Sequence, residues 1–416
     1  MRTTSFSGEM YETFLPNGVR VLTERIPGVR SVSVGVWVRQ GAAHEKREVM
    51  GASHLLEHLV FKGTRNRSAR EIALALESLG GSLDAYTSRE QTSFQARVLD
   101  EHLPLALEVL ADLTLNPLLR EEDLALEREV VLEEIATVED TPDDLVFDLH
   151  GERLWGAHPY GHPILGTRET VAGMAPETMH GLHRTRYTGR NLVVAAAGRL
   201  IHQDVVERVE SLFGGVVEGE AAPAIPHPGN LPAGAHHEER PSAQTHLVFG
   251  GGVPRHSDAR RYPLAILSTA LGGGMSSRLF QRIREELALA YSVFTFQSFY
   301  SRGGVSGVYV GTRPSSAEKA AEAVREELCR LAVEGLPLEE LEQTKQQLKG
   351  QIMLSLESTG ARLYRLAGFA LHDEPFLSLD EVLAVLDGTT PDEVAAAASE
   401  FFDPEGLFLL SLGPAR

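Results

Sequence analysis

PETMHGLHRTRYTGRNLVVAAAG (residues 176–198) aligns without a gap on PDEVAAAASEFFDPEGLFLLSLG (residues 391–413), and this pairing decides the fold. Each stretch reads as a helix followed by a buried strand. Upstream, ALEREVVLEEI (residues 125–135) aligns on LEQTKQQLKGQ (residues 341–351), which pairs Leu132 with Leu348. The chain is a duplicated unit. Between the copies runs VVEGEAAPAIPHPGNLPAGAHHEERPS, rich in Pro, Gly and Ala and without periodicity, the composition of an interdomain linker. The expected division is 1–215, a linker at 216–240, and 241–416.

The first copy mixes both kinds of element. An Asn17-Gly18 turn sits between short apolar runs, and SVSVGVWV alternates from Val32 to Val38, so the chain opens as strands. Three-and-four spacing of apolar residues follows at residues 54–61, 103–113 and 121–138, which predicts helices. GGSLDAYTSREQTSFQARVL breaks at Gly80-Gly81 and then alternates, a loop entering a strand. This half is expected to be α+β.

Composition narrows the function classes. With 416 residues and 43% hydrophobic content, the chain exceeds one ordinary core. Its net charge of -19 disfavours nucleic acid and suits a positively charged ligand. A single cysteine, Cys329, allows no intrachain disulfide and no thiolate-rich metal site, so any metal must use histidine and carboxylate. No apolar run reaches membrane-spanning length, and MRTTSFSGEM lacks an apolar signal core. A soluble cytoplasmic protein with no membrane association is expected.

SHLLEHLVFKGT (residues 53–64) sets two histidines and a glutamate into an apolar helix. Successive residues turn by about 100°, so His54 and His58 lie about 40° apart on one face, with Glu57 beside them. Both imidazoles can reach one cation, and Glu57 can take a proton from its water. H-x-x-E-H is the inverse of the H-E-x-x-H zinc helix. A catalytic zinc takes a third protein ligand, and EEDLALEREVVLEEIATVED supplies carboxylates. Glu127 and Glu134 share a stripe with Val131 and Val138, whereas Glu129 and Glu133 face the side of Glu122 and Asp140. The first pair are the candidates; seven residues, about 10 Å, separate them, so one should ligate while the other acts nearby. Their counterparts in the second copy are Gln343 and Gly350, and residues 240–416 contain no H-x-x-E-H. Only the first copy can host the metal. The remaining histidines of AHPYGHP (His158, His162) and His236-His237 are read as loop residues.

These residues resemble the M16 metallopeptidases, and the resemblance covers essentially the whole chain. It extends through GGSLDAYTSRE, LEREVVLEEI, EDTPDDLVFD, PYGHPILGT and LGGGMSSRLFQRIREELALAYSV. Length and single duplication look like the short-chain members, similar to the mitochondrial processing peptidase β subunit and bacterial processing-peptidase-like proteins. The resemblance implies two homologous α+β halves, each a mainly antiparallel sheet with helices packed on one face. It implies Zn2+ held by His54, His58 and Glu134, Glu57 as general base, and Glu127 as an acid involved in catalysis without binding the ion. Arg284 and Tyr291 match a pair that steadies the tetrahedral intermediate. Asp84 and Ala85 fall on the edge strand that pairs with the substrate backbone, and Asp84 stands where the family commonly has Asn.

The activity implied is zinc-dependent endoproteolysis of extended or unfolded peptides, in a chamber formed by two chains. The partner is then a second copy, giving a homodimer, or a paralogue, giving a heterodimer. The alternatives are a catalytically silent partner subunit and a peptide-binding module.

Overall fold

The computed structural model describes residues 2–6 and 9–415. They pack as two units. The first holds the chain through Ala136 together with His162–Ala224 and Ser355–Phe376; the second holds Thr137–Gly161, Ile225–Leu354 and the chain from Leu377 onward.

The first unit is built on seven strands: β1 (Arg2–Ser5), β2 (Met10–Phe14), β3 (Arg20–Arg25), β4 (Ser31–Val38), β5 (Ser82–Thr87), β6 (Thr92–Leu99) and β7 (Leu192–Gly198). Their order is β1-β2-β3-β7-β4-β6-β5. Only β3 and β7 run parallel. The second unit has β8 (Gly234–Glu239), β9 (Thr245–Val253), β10 (Ala290–Phe299), β11 (Gly304–Thr312) and β12 (Phe408–Gly413), in the order β10-β11-β9-β12-β8. Here only β8 and β12 are parallel.

The five strands of the second sheet follow the order β5-β6-β4-β7-β3 of the first, strand for strand, and β1 and β2 extend the first sheet beyond it. In each, the strand that ends the repeated stretch, β7 or β12, lies inside the sheet between one parallel and one antiparallel neighbour. The helices of the repeat match as well: Pro176–Arg186 and Pro391–Phe401 both have proline in the first turn, where its missing N–H leaves no bond unmade.

This equivalence alters the expected linker. Residues 234–239, at its end, are strand β8, in the place that β3 holds in the first sheet. GAHHEE carries no apolar alternation because β8 is an edge strand with no buried residue, held by its ladder to β12. His236 and His237 therefore lie on a strand and not in a loop.

The main helical layer covers one face of each sheet. In the first unit β7 sends Leu192, Val194 and Ala196 into the core beneath the Ala52–Val60 and Leu103–Leu115 helices. The alternate residues Val193, Ala195 and Ala197 point the other way, against Leu363, Leu366, Ala367 and Ala370 of the Thr359–Leu371 helix. A strand buried on both faces reads as a continuous apolar run, and LVVAAAG is one. The small alanines give that second-face helix room to approach. Arg20 and Arg39 bond its last carbonyls, at Ala370 and Leu371, and pair with Asp373, placing positive charge at the negative end of the helix.

So one helix covers the second face, beyond the one-sided layer expected. It belongs to the second repeat by sequence. Its counterpart from the first repeat, Pro142–Trp155, packs on β9 and β12 of the second unit. The expected sequential division does not contain this exchange, because each helix carries an apolar stripe but no mark of which sheet it covers. No helix among the described residues is long and apolar enough to cross a membrane.

Candidate metal centre

The Ala52–Val60 helix starts from an unusual turn. Gly51 has φ 88°, and a Cβ there would lie 2.5 Å from the carbonyl oxygen of Leu165; Gly166, φ 79°, makes the reciprocal close approach to Met50. Only glycine meets both demands. No side chain of Gly51 can cap the helix, so a distant residue does. The buried Glu45 carboxylate accepts from the backbone N–H of Gly51 at 2.8 Å and of Ser53 at 2.6 Å. Gln40 donates to the Ser53 hydroxyl at 3.0 Å. The residue before His54 is thus held by main chain and side chain.

On this helix every residue is buried except His54 and His58. Their rings meet edge to face, with centroids 4.7 Å apart. The Glu121–Glu139 helix brings Glu134 to them: its Oε2 lies 3.7 Å from His54 Nε2, and its Oε1 3.6 Å from His58 Nε2. One ligand atom from each of the three falls within 4.8 Å of the others, and this is the one such group of three or more among the described residues. Two imidazole nitrogens and a carboxylate oxygen form a donor set suited to zinc. Burial, helped by the neighbouring His58, lowers the His54 pKa to about 4, which leaves the imidazole in its neutral, ligating form.

Glu127, one helical repeat earlier, takes the outer position. Its Oε2 lies 3.1 Å from His58 Nδ1, and its Oε1 2.5 Å from Lys62 Nζ. The hydrogen bond fixes the His58 proton on Nδ1 and turns the Nε2 lone pair toward Glu134. The lysine neutralises a carboxylate that is otherwise buried. His54 has no such orienting acid among the described residues: its Nδ1 is buried without a hydrogen-bond partner there. Glu129 and Glu133 point outward and are exposed.

Glu57 is buried beside the two histidines and accepts from the Thr87 hydroxyl at 2.5 Å. Burial raises its pKa; the Thr87 hydrogen bond and His58 oppose that rise, and Glu134 adds to it. Thr87 ends β5, the free edge of the first sheet. Leu83 and Ala85 of β5 pack toward the helical layer, on the side of Glu57, while Asp84 points to the opposite face. The edge strand and the histidine helix therefore share one corner of the unit.

Arg284 and Tyr291 lie in the second unit and are brought to each other. The Arg284 guanidinium sits 4.5 Å from the Tyr291 ring centroid and 4.7 Å from that of Phe280, and donates to the Tyr291 carbonyl at 3.2 Å. Arg284 belongs to a π-helical turn, Phe280–Glu286, a rare form that gathers at functional sites. Tyr291 is 77% exposed.

Sequence reasoning passed over three residues: Glu45, Lys62 and Thr87. Lys62 stands four residues after His58, one turn along the same helical line, and a buried Glu127 needed a cation; that signal was readable. Thr87 shares the face of Ala85 by strand alternation. Glu45 gave none, because the turns between it and Ser53 bring it back by tertiary packing.

Similarity to known proteins agrees with the fold. Residues 20–168 match the family model described as insulinase (peptidase family M16), and residues 174–348 the one described as the peptidase M16 inactive domain. An uncharacterized zinc protease of Streptomyces coelicolor is 40% identical over 400 residues, covering 94% of this chain and 87% of that protein. An uncharacterized zinc protease of Bacillus subtilis is 39% identical over 386 residues, covering 93% and 94%. Among solved structures, a protease from Helicobacter pylori aligns with TM-score 0.90 at 22% identity over 97% of this chain and 99% of that one. A peptidase M16 inactive domain from Pseudomonas fluorescens aligns with TM-score 0.92 at 21% identity, over 98% of each. With residues 20–168 and 174–348 matched by the two M16 models and relatives near 40% identity along almost the whole length, the chain belongs to the M16 peptidase family.

Proposed function

We propose that this protein is a zinc endopeptidase acting on extended or unfolded peptides. The observation that carries the reading is the convergence of His54, His58 and Glu134 within 4.8 Å, with Glu57 on the same helix and a free sheet edge beside it. His54 Nε2, His58 Nε2 and a Glu134 oxygen would hold the ion, with Glu127 and Lys62 keeping His58 oriented. Bound there, zinc supplies Lewis acidity toward water and the scissile carbonyl.

The chain's own groups do the rest. A peptide strand adds to the edge of β5, where main-chain hydrogen bonds fix its register against the metal helix. The Glu57 carboxylate removes the proton of the attacking water and delivers it to the amine as the C–N bond breaks, so protons balance over the cycle. The Thr87 hydrogen bond aims that carboxylate. Its raised pKa brings it closer to neutrality, which suits a group that must both take and return a proton. Arg284 and Tyr291 present a cation and a phenol to the oxyanion of the tetrahedral intermediate. Two chains enclose the site in a chamber, each supplying this pair to the metal set of the other; the partner is a second copy or a paralogue.

The test is metal-dependent turnover of an unfolded peptide. One bound zinc per chain, with cleavage abolished by chelation and restored by zinc, supports the reading; a protein that binds peptide and never cleaves it sinks it.

A further inference from the structure

β5 has two faces, and the mechanism uses only one. Leu83, Ala85 and Thr87 face the metal helix, so a strand added to this edge presents half of its side chains there and the other half to the opposite face of the sheet. That face has its own furniture. Across the sheet, Asp84 pairs with Gln95 and Gln95 with Gly35, while Tyr86 pairs with Ser93 and Ser93 with Trp37. These residues share a face with Val193 and Ala195, the one covered by the Thr359–Leu371 helix.

At the free edge this helix contributes Tyr364. Its ring centroid lies 6.1 Å from that of Tyr86, tilted by 34°, and 6.3 Å from that of Trp37, edge to face. Tyr364 also hydrogen-bonds with Gln95, and Tyr86 OH lies 3.4 Å from Trp37 Nε1. The aromatic pair is anchored on its inner side, yet Tyr364 is 46% exposed on the outer one. Beside it Asp84 is exposed and has no ion-pair partner among the described residues. Arg97 stands opposite Ser82, a diagonal step from Asp84.

We infer that Asp84, Tyr86 and Tyr364 form a subsite for a lysine or arginine side chain of the bound peptide, on the sheet face opposite the metal. The inference rests on the peptide-strand reading above. A residue opposite β5 brings its Cβ within about 5 Å of the partner Cβ, which puts a long cationic side chain over the two rings with its charged end at the carboxylate. An aromatic face attracts a cation, and the carboxylate supplies the charge-assisted hydrogen bond. An apolar side chain gains from the rings alone. An acidic one is repelled by Asp84.

The test uses the full chain carrying Glu57→Gln, so that binding is read without turnover. Two fluorescent unstructured peptides are compared, one with lysine and one with norleucine at every second position, which fills one strand face in any register. The lysine peptide is expected to bind about tenfold tighter, the sum of an exposed cation–π contact and an exposed ion pair. Adding Asp84→Asn, or separately Tyr364→Leu, is expected to cut that preference to threefold or less. Adding Glu318→Gln, an exposed acid in the second unit, controls for net charge and is expected to leave it intact. Equal binding of the two peptides, or an undiminished preference after Asp84→Asn, overturns the subsite. Cleavage by the protein with Glu57 intact is measured in parallel: no cleavage with Asp84-dependent binding overturns the peptidase reading alone, and cleavage with Asp84-independent binding overturns the subsite alone.

Discussion

His58 Nδ1 lies 3.1 Å from Glu127 Oε2, while the other nitrogen of the same ring faces Glu134 at 3.6 Å. Two acids seven residues apart on one helix thereby serve one imidazole from opposite sides. Seven residues of helix set Glu134 at one ring nitrogen and Glu127 at the other.

Replacing each acid by its amide should separate these roles. Glu127→Gln keeps the shape but weakens the acceptor at His58 Nδ1, so zinc affinity is expected to fall about 10–100-fold. Glu134→Gln removes a ligand and is expected to cost more than that. Competition with a chelator of known affinity reads both. Equal affinities in the two variants contradict the assignment of the third ligand.

Glu45 anchors the metal helix without touching the ion. Glu45→Gln retains one acceptor oxygen for two backbone N–H groups, and the buried donor left unpaired costs about 1–3 kcal/mol. A lowered thermal midpoint is expected; an unchanged one contradicts the anchoring role. Burial raises the Glu45 pKa from 4.5 to about 7. The folded chain thus holds a proton that the unfolded chain has released, so this group's contribution is present in full below about pH 4.5 and fades as pH rises through 7. The glutamine variant lacks that dependence. The stability gap between wild type and variant is expected to narrow from about pH 5 to pH 8, read by denaturation at several pH values.

Sharing of sites between chains can be tested by complementation. The metal set and the Arg284–Tyr291 pair belong to different units. Glu57→Gln and Arg284→Ala proteins are each expected to be nearly inactive. If Arg284 serves the metal of a partner chain, a mixed dimer holds one site with both defects and one with neither, so mixing restores part of the activity. Absence of recovery, with subunit exchange demonstrated independently, contradicts the shared arrangement.

Much of this was legible in the sequence because it depends on period. The duplication, the metal helix and the inward stripe of Glu127 follow from residue spacing, and the placement of β7 and β12 inside their sheets agrees with two continuous apolar runs. What stayed hidden depends on tertiary choice. β8 is polar because an edge strand needs no buried face. The second-face helices carry ordinary apolar stripes, and nothing local in Leu363 or Leu366 says which sheet they cover. Glu45 became a cap only when the turns around Lys46 and Met50 folded it back. Asp84 lies on the strand expected to pair with a peptide backbone, and its side chain points to the face of Tyr364, which strand alternation alone does not assign.

The most direct measurement is the zinc content of the Glu57→Gln protein set beside its rate of peptide cleavage. The amide removes the proton acceptor and leaves His54, His58 and Glu134 untouched, so one zinc per chain is expected together with a loss of about 100-fold or more in kcat. A variant that keeps its zinc and cleaves within tenfold of wild type contradicts the role of Glu57. One that loses the metal contradicts the separation of base from ligands on which the mechanism stands.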